Sequence, residues 1–181
     1  MRLPTMALTA LTALAAVACS SAPDGAGSSA GPPPQRVERD FYLGGIQVHE
    51  ESLDGWFQSL DQRRMNTVHV TDYAIQGEWD SDDLRYDVGT PELMAEIRGA
   101  KARGLSVILV LRVHLETERP RNAFLWHGMI VPKTDALLAS WFEKYTEYCR
   151  RWARIAEAEG VDALFFGSEL NALASTQPVD A

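Results

Sequence analysis

Cysteine is almost missing from this chain. Cys19 and Cys149 are the two present, and Cys19 lies in an N-terminal address segment, so no disulfide framework is available. Cys149 stands at helical spacing from Tyr145 and Trp152, where it reads as a small core residue. Basic charge is also short. Seventeen Lys and Arg face 25 Asp and Glu, a formal net charge of −8, which gives nucleic acid and anionic membrane surfaces little to attract. No apolar run is long enough to span a bilayer. The four histidines make no H-x-H or H-E-x-x-H pattern, so no metal site is expected. Asp80, Asp82 and Asp83 lack the ligand spacing and closing glutamate of a calcium loop and read as a solvated acidic loop. Gly44-Gly45 lacks the third glycine of a phosphate-binding turn. No motif calls for a cofactor.

What is present begins with an address. Residues 1–18 carry Arg2 and then an apolar run interrupted only by threonines, the shape of a secretory signal. The run ends in A-A-V-A-C. This resembles a bacterial lipoprotein lipobox, with Ala16 where leucine is usual, and the resemblance implies a lipidated Cys19. An ordinary cleaved signal is the alternative. Either way the mature chain belongs outside the cytoplasm, in the bacterial cell envelope or secreted, touching a membrane only through its anchor. Residues 19–38 are rich in Ser, Gly and Pro and hold no large apolar side chain before the domain, as a flexible tether would. Residues 39–181 are the expected folded domain.

That domain alternates strands and helices. Residues 41–48 predict a first strand, followed by His49-Glu50. Ser52 caps a helix whose Leu53, Trp56, Phe57 and Leu60 share one face. Val68-His69-Val70 predicts a second strand that exits at Thr71-Asp72-Tyr73. Thr90-Pro91 opens a second helix with Leu93, Ile97 and Ala100 inward, ended by Gly104. Residues 105–113 form the clearest strand and run into His114. Residues 134–159 predict a long helix with Leu138, Trp141, Phe142, Tyr145, Cys149, Trp152 and Ile155 as its apolar stripe. Residues 163–166 predict a fourth strand, buried on both faces, that ends at Gly167-Ser168-Glu169.

Strands alternating with helices imply right-handed parallel βαβ units. Loops after strands are long and rich in His, Trp, Asp and Glu, whereas loops after helices are tight and use glycine. That asymmetry is the pattern of an α/β barrel, with function at the carboxyl ends of the strands. A full eight-stranded barrel takes about 250 residues, and four strands are predicted here. The expected fold is therefore α/β, half of a (β/α)8 barrel with four parallel strands and three intervening helices. A fragment of a longer product is the favoured explanation, with a partner that supplies the second half, or a doubly wound four-stranded sheet, as alternatives.

Four blocks, taken in order, resemble the glycoside hydrolase 113 β-mannanases. They are T-P-E-L-M-A-E-I-R-G-A-K-A-R-G-L-S-V-I-L-V-L-R-V-H-L, W-H-G-M-I, S-W-F-E-K-Y and A-E-A-E-G-V-D-A-L-F-F-G-S-E-L. The resemblance implies retaining hydrolysis of a β-linked polysaccharide such as mannan, with Glu169 as the acid/base. It places the nucleophile on a seventh strand, which these residues do not include. Such a donor needs a raised pKa, and half a site is expected to be inactive alone. The family pattern also has a histidine at the place of His114, which would hydrogen-bond substrate, with a core histidine as the alternative.

The residues add further candidates. Glu169 leaves a buried strand where barrels place catalytic groups, although a capping or ion-paired glutamate would sit there too. Trp79 and Trp126 lie on loops after strands two and three and could stack on sugar rings or simply pack. Asp72 and Tyr73, like His49 and Glu50, leave strands where a site would be lined. Asn171 offers a polar contact or a helix start. A surface lipoprotein that binds a glycan or a protein without catalysis is the alternative function.

Overall fold

The computed structural model describes Arg36 and residues 38–46 and 52–175. The chain divides into two units, Met1–Gly31 and Pro32–Ala181, and every described residue belongs to the second. Cys19, the signal, most of the tether, His49 and Glu50 lie outside the described residues.

Among the described residues the sheet has five strands, four of them parallel. The parallel strands are β1 (Gly44–Ile46), β2 (Thr67–Gln76), β4 (Ser106–Leu115) and β5 (Ala163–Phe165), hydrogen-bonded in the order β1-β2-β4-β5. A two-residue strand, β3 (Leu84–Arg85), pairs antiparallel with the end of β2 at Ile75 and Gln76. Because β4 pairs along all of β2, β3 must take the other edge of β2, beyond β1. Helices α1 (Leu53–Gln62), α2 (Pro91–Ala102) and α3 (Asp135–Ala158) follow β1, β3 and β4, and a short α4 (Asn171–Ala174) follows β5. The expected half-barrel is therefore present, with β3 added inside the long loop after β2.

Local rules account for most boundaries. Ser52 Oγ accepts the Gly55 N–H at 3.1 Å and starts α1. Thr134 Oγ1 does the same for Leu137 at 3.3 Å at the head of α3. Pro91 opens α2, but Thr90 makes no side-chain cap bond there. Gly104, with φ of +72°, turns the chain from α2 into β4.

The sheet has two different faces. Val68, Val70, Ala74, Val107, Leu109, Leu111, Val113 and Leu115 are fully buried and alternate along β2 and β4 with half-buried or exposed residues. On the buried side Gln76 Oε1 accepts from Trp141 of α3 at 2.9 Å, which identifies it as the helix-covered face. The opposite face carries Thr71, Tyr73, Ile75, Val110, Arg112 and His114, and Tyr73 pairs with Arg112 and Ile75 with His114 in register.

Three expectations need correction here. Strand β2 continues to Gln76 and β4 to Leu115, so Asp72, Tyr73 and His114 lie within strands rather than at their exits. The apolar stripe of α3 is rotated: Tyr148 is fully buried and Phe142 is 42% exposed. The last strand is not buried on both faces, since Phe165 is 53% and Phe166 70% exposed. Among the described residues β5 pairs only with β4, so its far edge and flank remain open.

Candidate active site at the open end of the sheet

Glu169 follows β5 with φ of +57°, in the left-handed region, two residues after Gly167. Left-handed backbone costs a non-glycine residue roughly 1–2 kcal/mol, so contacts must hold it. One anchor is the Gly167 N–H, which donates to the Tyr145 hydroxyl at 2.9 Å. Burial pushes that hydroxyl up to about 12, so it stays protonated. The second anchor is the carboxylate itself. Arg112 Nη2 and His127 Nε2 both meet Glu169 Oε2. The His127 contact, followed by the Arg112 charge and hydrogen bond, holds the Glu169 carboxyl below the usual carboxylate range against a push from desolvation. The raised pKa expected of a proton donor is thus not what these neighbours produce.

Arg112 comes from the open face of β4, and its guanidinium carbon lies 5.9 Å from the centre of the Tyr73 ring. Its Nε is buried and finds no acceptor among the described residues. His127 starts a 3-10 turn, His127–Met129, in the loop after β4. Trp126 stands edge-on to His127 at 5.1 Å and is 46% exposed. A Cβ on Gly128 would sit 2.2 Å from the Trp126 indole, so only glycine lets that ring lie where it does.

The predicted site residues divide accordingly. Glu169, Tyr73 and Trp126 share one cluster with Arg112 and His127. His114 lies on the same open face, opposite Ile75. Asn171 is the first residue of α4, whose N-cap is Leu170. Trp79 packs against the core, its backbone held by Asn122 Oδ1 at 3.1 Å and by Val131. Asp72 is the clear misplacement. It sits on the helix-covered face, 9% exposed, where Oδ2 accepts from Tyr148 Oη and Trp152 Nε1, both at 2.7 Å. Residue parity decides this: Asp72 is an even-numbered step from Val70 and Ala74, and Tyr73 is not.

The acidic loop is not merely solvated. Asp80 pairs with Arg121 at 2.5 Å, Asp82 with Lys144 at 2.8 Å, and Asp83 with Arg119 at 3.2 Å. Buried Asn122 joins the loops after β2 and β4, donating to Gly77 O and Glu116 O, both at 2.7 Å. Cys149 is half-buried and its thiol is pushed up by desolvation. Among the described residues no group of three His, Cys, Asp or Glu could hold a metal.

The family model for glycoside hydrolase family 113 matches residues 47–178. The chain belongs to glycoside hydrolase family 113. The family's solved structures agree on the fold. The β-mannanase AaManA from Alicyclobacillus acidocaldarius, solved with ManMIm, superposes with a TM-score of 0.52 at 18% identity, over 64% of this chain and 38% of that one. A β-1,4-mannanase solved as a complex gives 0.53 at 22% identity, over 72% of this chain and 47% of that one. The chain thus spans less than half the length of these family 113 enzymes. No curated protein sequence is significantly similar to it.

Proposed function

We propose that this family 113 chain contributes the acid/base half of a retaining glycosidase site for a β-1,4-linked mannan, with Glu169 as the acid/base. The observation that carries the reading is the position of Glu169. It leaves the last parallel strand on the open side of the sheet, beside Arg112 and His127, in a family whose solved members are β-mannanases. Trp126 and Tyr73 supply exposed rings in the same cluster, suited to stacking on sugar. His114 adds a hydrogen-bonding group on that face.

Retaining hydrolysis needs a second carboxyl about 5–5.5 Å from the first, one to protonate the leaving oxygen and one to attack the sugar. The neighbours found at Glu169 are His127, through its hydrogen bond, and Arg112, through its charge and hydrogen bond, and both favour the ionised form. These residues alone are therefore expected to bind manno-oligosaccharide without cleaving it. A second carboxylate nearby would raise the Glu169 pKa, as like charges do, and so restore a donor. Export through the N-terminal signal and anchoring through Cys19 belong to the same reading, since a mannan is met outside the cell.

The test is mannohexaose added to the 181-residue chain, followed by residue-resolved NMR and by release of reducing sugar. Shifts centred on Trp126, Tyr73 and Glu169 without sugar release are expected. Shifts confined to the helix-covered side would remove the site assignment. Release that Glu169→Gln abolishes would show that the chain is already a complete enzyme.

A further inference from the structure

We infer that Arg112 and His127 are positioning residues that clamp one oxygen of Glu169, Oε2, and leave Oε1 as the oxygen that exchanges protons with a ligand. The inference rests on Glu169 being the functional carboxyl. Three observations carry it. Both contacts fall on Oε2 rather than one on each oxygen. They come from independent elements, Arg112 from β4 and His127 from the turn after it. The backbone of Glu169 is left-handed and lies outside regular structure, so the side-chain contacts, not a helix or strand, decide where the carboxyl points.

The chemistry follows from the geometry. A carboxylate whose Oε2 accepts from both the Arg112 guanidinium and the His127 ring N–H has its remaining lone pairs on Oε1. A proton that arrives from water or leaves for a glycosidic oxygen must travel through Oε1. The groups facing the carboxyl are Arg112 from β4 and His127 from the loop. From α3, Tyr145 holds the adjacent Gly167 N–H and stays neutral. Arg112 is not saturated by Glu169, because its buried Nε lacks an acceptor.

The experiment is a carboxyl-13C NMR titration of the 181-residue chain, with the Glu169 signal assigned by its loss in Glu169→Gln. The wild-type midpoint should lie below the ordinary glutamate range. It should rise in Arg112→Met and in His127→Ala. It should stay near wild type in His127→Gln, which keeps an N–H donor, and in Arg112→Lys, which keeps the charge. His127 lies in a partly exposed turn, so its two variants are expected to fold, and thermal melts check this. If the midpoint is the same in wild type, His127→Ala and Arg112→Met, the clamp is wrong. If His127→Gln and His127→Ala move it equally, the contact is packing and not a hydrogen bond, and the clamp is wrong again. Since the titration needs no turnover, an absent clamp leaves the glycan reading standing. Intact midpoint shifts in a chain that shows no mannohexaose binding would instead sink the glycan reading and leave the clamp.

Discussion

Asp72 shows most sharply how one residue's environment sets its role. Burial pushes its carboxyl up, although hydrogen bonds from Tyr148, Trp152 and its own neighbourhood oppose the shift. A folded pKa above the unfolded value of 3.8 means that this group's contribution to stability is fully present below that value and is lost as pH rises through the folded pKa. Asp72→Asn keeps an acceptor and cannot ionise, so its unfolding midpoint should gain on wild type as pH rises from about 3 to neutrality. Denaturation at a series of pH values reads this directly. Asp72→Ala should instead cost about 1–3 kcal/mol for each buried donor left alone, Tyr148 Oη and Trp152 Nε1. At Trp126 the expected effect is on binding: Trp126→Ala should weaken mannohexaose binding by up to about 1.5–3 kcal/mol, the scale for covering one large apolar side chain, with little change in melting temperature. Tyr73 and Asp72 are adjacent in sequence and equally plausible site residues there. Only the strand's alternation, once its extent was known, sends one to the open face and the other under α3.

At the scale of elements, α3 and the link between α2 and β5 carry the load. Trp141 and Trp152 are fully buried and each donates its indole N–H to a side chain of β2. Trp141→Ala should cost about 3–5 kcal/mol, measured as a fall in the chemical denaturation midpoint with unchanged helicity in native buffer. Lys101 of α2 and Asp162 at the entry to β5 form an ion pair at 3.0 Å with side chains 4% and 8% exposed, and Asp162 Oδ2 also accepts the Val107 N–H at 2.8 Å. Asp162→Ala strands a buried ammonium and a backbone donor and should cost about 3–5 kcal/mol. Lys101→Met with Asp162→Asn should cost clearly less than that single change, because no charge is left buried and unpaired. These elements were legible in the sequence through caps, glycine stops and apolar spacing. The rotation of the α3 stripe was not. Tyr148 fits the helical spacing of Tyr145 and Trp152, but nothing local shows that an aspartate on β2 waits to accept its hydroxyl.

For the whole molecule, one group of open features lies at the β5 edge of the sheet. Phe142, Phe165 and Phe166 are exposed. A cavity of about 560 Å³ lined by Phe142, Tyr145, Cys149, Leu164, Phe166 and Leu170 runs between α3 and the end of β5. Exposed apolar surface beside an unpaired strand edge favours association. The chain should therefore self-associate as its concentration rises, and Phe166→Ser should reduce this. Light scattering across a concentration series measures both. Glu169 follows β5 beside this surface, within five residues of Phe165 and Phe166.

Alternation of strands and helices, their order and the carboxylate after the last strand are local properties, written in periodicity and in turn residues, and the sequence alone determined them. So too the family blocks, which lie along the chain in order. Which side of the sheet each residue faces depended on strand ends that pairing between distant segments sets, two or more residues beyond what apolar patterning marks. The company of Glu169 depended on more still. Arg112 lies 57 residues before it and His127 42 residues before it, and although both fall inside the family blocks, nothing local in the sequence says that they meet. Only the parallel sheet, which stacks the exits of β2, β4 and β5 side by side, brings them to one oxygen, where the His127 hydrogen bond and the Arg112 charge hold the carboxyl below its ordinary range.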